Sequence, residues 1–140
     1  MRSALLALLL LGACAQTPGQ APPAANAATE LAGTKWRRVD DLNANPHGAT
    51  LEFGNTGASG HTGCNRWFAS VTQNGEALRF GNIGMTRMAC QAEVSAATER
   101  SFVAALEATR YAHYDRDALV LLDARQHQIA RFDSELPALD

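Results

Sequence analysis

From Leu31 onward the chain alternates apolar and polar positions over short runs, and that period of two predicts strands. Thr34 to Val39 reads as a strand with Trp36 inward, and Thr50 to Phe53 places Leu51 and Phe53 on one face. Ser59 to Thr62, Trp67 to Thr72 and Ala77 to Phe80 follow, with Asn82 to Met85 extending the last beyond Gly81. Turn formers punctuate these runs. Asp40 to Gly48 is a loop holding Asn43, Asn45, Pro46 and Gly48, and Gly54-Asn55-Thr56-Gly57 is a turn. Asn74-Gly75 is the strongest hairpin signal in the chain.

The period changes once, to that of a helix. Between Ala89 and Thr109, the residues Val94, Ala97, Phe102, Ala105, Leu106 and Thr109 fall on one stripe, while Glu93, Glu99, Arg100, Glu107 and Arg110 face out. Tyr111 to Tyr114, Leu119 to Leu122 and Gln128 to Phe132 then form a closing antiparallel meander, turned by Asp115-Arg116-Asp117 and by Asp123 to His127. About eight short strands with one late helix predict an α+β fold: a strongly curved antiparallel sheet, or small open barrel, with the helix packed against it. The predicted domain covers residues 31–133, and residues 134–140 read as a loose tail. Trp36, Phe53, Trp67, Phe68, Phe80 and Phe102 are its expected aromatic core.

Upstream of Leu31 neither period is present. Met1-Arg2-Ser3 is a positive n-region and Ala4 to Leu11 an apolar run, far short of the ~20 residues that a membrane-spanning helix needs. It reads as an export signal. Leu11-Gly12-Ala13-Cys14 resembles the lipobox of bacterial lipoproteins, so residues 1–13 are expected to be removed and Cys14 to carry the lipid. One acyl chain binds a bilayer only marginally, whereas the two or more of such an anchor hold lastingly. Ala15 rather than an aspartate follows Cys14, which by analogy with lipoprotein sorting implies the outer membrane, facing the periplasm. Residues 14–30 hold no large apolar side chain and read as a flexible tether. At about 15 residues it spans roughly 20–25 Å.

Charge narrows the partners. The formal net charge of −2 and pI near 6.1 are not those of a nucleic-acid-binding domain. Lys35, Arg37 and Arg38 form the densest basic cluster and read as a solvated strand face.

Chemistry concentrates between Gly60 and Cys90, which holds the two cysteines that follow Cys14. Gly63 and Asn65 flank Cys64 and both tolerate positive φ, so Cys64 is expected at a tight turn, with Cys90 at the start of the helix. In a small exported domain two such cysteines are most simply a disulfide. Closing a loop of about 25 residues contributes roughly 3–4 kcal/mol. Two sharper readings compete with it. Cys64 with His61 is the minimum for a thiol nucleophile, but on a strand the two project to opposite faces. His47, His61, Cys64 and Cys90 supply metal-ligand types without the paired spacing of a zinc motif. There is no G-x-S-x-G, P-loop or GxGxxG pattern. The residues therefore predict no catalytic site, no cofactor and no resident metal.

Gly63-Cys64-Asn65-Arg66, then Thr86-Arg87-Met88-Ala89-Cys90, then Glu99 with Phe102 and Leu106, resemble the META domain of the HslJ-type heat-shock lipoproteins. The likeness spans nearly all of Leu31 to Phe132 and departs at Trp67-Phe68-Ala69, where the family often has a small residue before an aromatic. It implies a curved antiparallel sheet around one helix, similarity to secretin-pilot lipoproteins, and a link to heat shock, envelope stress and novobiocin tolerance. It implies no established enzymatic activity. Gly63, Cys64, Asn65, Arg66, Thr86, Arg87, Ala89, Cys90 and Glu99 are the motif positions, marking either a binding surface or a folding staple. The expected function is a lipid-anchored periplasmic protein with a non-enzymatic binding or envelope-stress role. The alternative is a pilot-like carrier holding an apolar ligand or a partner's segment in the sheet cleft.

Overall fold

The structure, a computed structural model, describes residues 30–41 and 48–135. The leader, Cys14, all of the tether before Glu30, His47 and the tail beyond Glu135 lie outside the described residues. Eight strands and one helix follow in order: β1 (Lys35–Arg38), β2 (Thr50–Phe53), β3 (Gly57–His61), β4 (Arg66–Asn74), β5 (Ala77–Met85), α1 (Glu93–Ala108), β6 (Tyr111–Asp115), β7 (Ala118–Leu122) and β8 (Gln128–Ser134). Each strand pairs antiparallel with the next, and β8 returns to β1, so the sheet closes into a ring. No helix among the described residues is long and apolar enough to cross a membrane.

The ring is thinnest between β5 and β6. Ala77 opposite Tyr111 is the register pair there, flanked by Leu78 N–H to Arg110 O (2.9 Å) and Ala112 N–H to Glu76 O (2.8 Å). The rest of β5 has β4 on one side, and α1 packs against β5 and β8. The connection that carries the helix thus fills the gap that shorter pairing leaves.

Side chains fill the inside of the ring. Phe102, on α1, stands at its centre: its ring meets Trp67 edge-on at 5.3 Å and Phe132 at 6.3 Å between centroids. Phe80 continues the stack to Trp67 (6.2 Å) and Phe53 (6.0 Å). Leu31, Leu51, Leu78, Leu106, Leu119 and Leu121 close the remaining space, none more than 1% exposed. The concave face is therefore a packed core. A carrier cleft within it has no room.

Gly60 shows how tightly neighbouring strands approach. A Cβ there would lie 2.2 Å from Thr50 O, the same carbonyl that accepts the Trp67 indole N–H at 3.0 Å.

Several local expectations are corrected. The helix starts at Glu93, not Ala89, so Cys90 precedes it on an irregular arm. Backbone groups of that arm are already bonded to the Cys64 turn, which withholds them from the helix. Thr98, Phe102, Ala105 and Leu106 are its buried stripe, while Val94 is 40% exposed, because the core ends at the level of Thr98. At the hairpin, Asn74 pairs with Ala77, so Gly75 and Glu76 form the turn and Gly75 alone takes positive φ (+60°), the pattern of a II′ turn. Arg38 is buried, not solvated. Trp36 and Arg38 alternate inward on β1, and Arg38 bonds Asp40 (2.9 Å) and Ser101 of the helix (3.0 Å). Lys35 and Arg37 pair with Glu52 and Glu135; the expected loose tail is thus tied down at its start, with Ser134 in β8 and Glu135 held by Arg37. Phe68 is 63% exposed and reaches over Gly84 of β5, where a Cβ would sit 2.4 Å from its ring. An aromatic covering a cross-strand glycine stabilises the outer face instead of the core.

Candidate functional site

The motif positions converge where the β3–β4 turn meets the arm that precedes α1. Gly63 takes φ +97°, and a Cβ there would press on Thr98 Cγ2 at 2.9 Å. Asn65 does not use its tolerance of positive φ; its role lies in its side chain. Buried at 2% exposure, its Oδ1 accepts from Thr86 Oγ1 (2.9 Å) and Met88 N–H (2.8 Å). Its Nδ2 donates to Met88 O (3.2 Å) and Glu99 Oε2 (3.0 Å). One amide thus reads the arm's backbone as a neighbouring strand would, and holds the helix as well.

Thr62 supplies the second half of the knot. Its hydroxyl accepts from Cys64 N–H (3.2 Å) and Asn65 N–H (2.8 Å) and donates to Glu99 Oε2 (2.6 Å), so its donor and both acceptor sites are used. Sequence reasoning missed Thr62. Its signal was available: a threonine two and three residues before amides that a turn leaves unpaired is a local side-chain-to-backbone motif. Glu99, expected to face solvent, is half-buried and receives both of these side chains.

Cys64 and Cys90 form a disulfide across this knot, with Cα atoms 5.5 Å apart and a sequence separation of 26. The bridge takes up the sulfur that a thiol nucleophile would need. His61, its proposed partner, instead accepts Gly63 N–H at Nδ1 (3.1 Å). Of the other motif positions, Arg66 contributes backbone, through N–H to Thr86 Oγ1 (3.1 Å) and its carbonyl to Thr86 N–H (3.0 Å). Arg87 and Ala89 are exposed on the arm. Of the metal set weighed in the sequence, His47 lies outside the described residues, and His61 is not among the ligand types that the described residues bring together. The ligand types brought together are those of Cys64, Cys90 and Glu99. Reducing the bridge, or substituting both cysteines with serine, is expected to lower stability by about 3 kcal/mol. Urea denaturation with and without reductant checks this.

At the opposite end of the first strands a surface cleft of about 1200 Å³ is lined by Trp36, Tyr114, Arg116, Arg131 and Glu135, among others. Trp36 and Tyr114 stack at 5.6 Å between centroids, tilted by 35°. Tyr114 donates its hydroxyl to Glu30 O (2.7 Å); partial burial, then the Glu30 carboxylate, raise its pKa above the ordinary tyrosine value. Arg131 pairs with Asp115 at 2.7 Å, and that hydrogen bond holds the Asp115 carboxyl below the usual carboxylate range. Charged walls that neutralise one another over an aromatic floor can receive a polar or mixed segment. They present no single-signed field.

Solved structures resemble this fold. An NMR structure of a protein from Burkholderia xenovorans aligns with a TM-score of 0.61 at 23% identity, covering 91% of this chain and 100% of that one. A second NMR structure aligns at 0.57 and 17% identity, covering 74% and 90%. A crystal structure of a DUF4847 family protein from Bacteroides vulgatus aligns at 0.56 and 14% identity, covering 74% and 93%. At these identities the likeness is one of fold. No curated protein matches the chain. The META domain profile matches residues 27–136, which takes in every strand, the helix and both halves of the stapled knot. The chain belongs to the META domain family.

Proposed function

We propose that this chain is a lipid-anchored periplasmic protein of the HslJ type, carried on Cys14 and acting by binding or by supporting the envelope under stress, without catalysis. The observation that carries this reading is the Cys64–Cys90 disulfide at the heart of the family motif. Disulfides persist in oxidising compartments, which agrees with the export leader and lipobox. The fully used hydrogen-bonding groups of Thr62 and Asn65 support a staple at the motif positions in place of a reactive centre.

Fractionation of cells expressing the full chain tests the anchor. The unaltered protein is expected in the envelope pellet and C14S in the soluble exported fraction; equal recovery of both in the soluble fraction would sink the lipoprotein reading. The pilot-like alternative survives on the outer surface, supported by the aromatic floor of the Trp36–Tyr114 cleft. Chemical-shift changes confined to that cleft on adding an envelope extract would favour it.

A further inference from the structure

We propose that the stapled knot becomes a divalent metal site when its disulfide is reduced, with Cys64 Sγ, Cys90 Sγ and a Glu99 carboxylate oxygen as ligands for Zn²⁺ or a thiophilic relative such as Cd²⁺. These donor atoms all lie within 4.8 Å of one another, and all three residues are half-buried. In a tetrahedral site with Zn–S near 2.3 Å and Zn–O near 2.0 Å, ligand atoms sit roughly 3.5–3.8 Å apart. Once the sulfur–sulfur bond opens, small side-chain rotations bring the three donors to that spacing.

The site does not depend on the disulfide for its assembly. Asn65 holds the Cys90 arm through Met88 N–H (2.8 Å) and Met88 O (3.2 Å), while Thr62 holds the Cys64 turn through the amides of Cys64 and Asn65. Both residues fix Glu99 through Oε2, and Glu99 Oε1 takes part in no hydrogen bond among the described residues. None of these bonds passes through sulfur. Two thiolates, one carboxylate and a water make a four-coordinate set suited to zinc, the water taking the position that the protein leaves open.

The chemistry balances with a dithiol reductant. It delivers two electrons and two protons to the Cys64–Cys90 bond and is itself oxidised to a disulfide; metal binding then releases both thiol protons to solvent. In the oxidised protein neither sulfur is a thiolate, and the site is closed. The bond is accessible for this exchange, since both cysteines are half-buried and not sealed in the core.

The test compares oxidised and reduced protein, each as wild type and E99Q. Zn²⁺ affinity is measured against a chromophoric chelator, and Cd²⁺ by its thiolate charge-transfer band. Glutamine keeps an acceptor for Thr62 and Asn65, so the fold is retained, and near-ultraviolet circular dichroism verifies that the reduced chains stay folded. Reduced wild type is expected to bind one equivalent of either ion with the thiolate band present, the oxidised protein none, and reduced E99Q roughly tenfold or more weakly. Equal affinity in reduced wild type and E99Q would overturn the site, as would uptake that appears only together with loss of the folded signal. So would a reduced, folded protein that binds no more metal than the oxidised one. The outcome is independent of whether Cys14 carries a lipid.

Discussion

Phe102→Ala is expected to lower the stability of the domain by about 4 kcal/mol, in the middle of the range for removing a buried aromatic. The side chain is 0% exposed and carries the ring stack from Trp67 on β4 to Phe132 on β8, so its loss leaves a cavity walled by opposite sides of the ring. Those walls belong to a hydrogen-bonded sheet and cannot collapse inward. Phe102→Leu, which keeps most of the volume, should cost about 1–1.5 kcal/mol. Urea unfolding of both variants gives the comparison. A lowered midpoint at unchanged slope means that helix and sheet unfold as one unit. A cost below about 1 kcal/mol for the alanine variant would mean that the helix does not organise the core.

Asn65→Ala has the next largest expected effect, also near 4 kcal/mol, although the side chain is small and polar. Its loss strands Met88 N–H, removes a partner from Thr86 and Glu99, and does so at a position 2% exposed. Four part-buried hydrogen bonds are lost, to Thr86, to Met88 N–H and O and to Glu99, at about 1 kcal/mol each. Asn65→Asp separates the parts of this interaction. The carboxylate keeps the acceptor facing Met88 N–H but sets a negative charge where Nδ2 now lies 3.0 Å from Glu99 Oε2. Two carboxylates so close cannot both ionise cheaply, so one pKa is raised above its unfolded value. A raised carboxyl pKa destabilises the folded state at neutral pH, and the loss is relieved as pH falls through the raised value and a proton is shared. Asn65→Asp should therefore recover stability on mild acidification, whereas Asn65→Ala should not. Parallel pH responses of the two variants would count against the Asn65–Glu99 contact.

Together these two substitutions separate the supports of the fold. Phe102 tests dispersion and burial inside the ring, while Asn65 tests a polar knot on its rim that locks the long β5–β6 connection. The knot matters because that connection spans the weakest seam of the sheet. Without it the arm before α1 would be held beside the β3–β4 turn by the disulfide and the Arg66–Thr86 pair.

Periodicity in the sequence located the strands because one face of each is buried. Thr50 to Phe53 was bounded to the residue, and the closing meander to within two, since alternation is set by burial of every second side chain. Two thiols in a small domain read as exported likewise implied their bridge, and the glycine before Cys64 its positive φ. What the pattern could not carry were contacts between residues distant in sequence. Arg38 looked solvated because charge alone was visible; Asp40 and Ser101 make its burial tolerable. Phe68 looked like core because hydrophobicity was visible and the bare Gly84 opposite it was not. The helix start moved from Ala89 to Glu93 because Asn65, more than twenty positions earlier, had taken the arm's backbone groups. Local propensity and periodicity act within one element and are written along the chain. Closure of the ring, burial of a charge and satisfaction of a buried amide depend on which elements meet, and only the tertiary structure decided those.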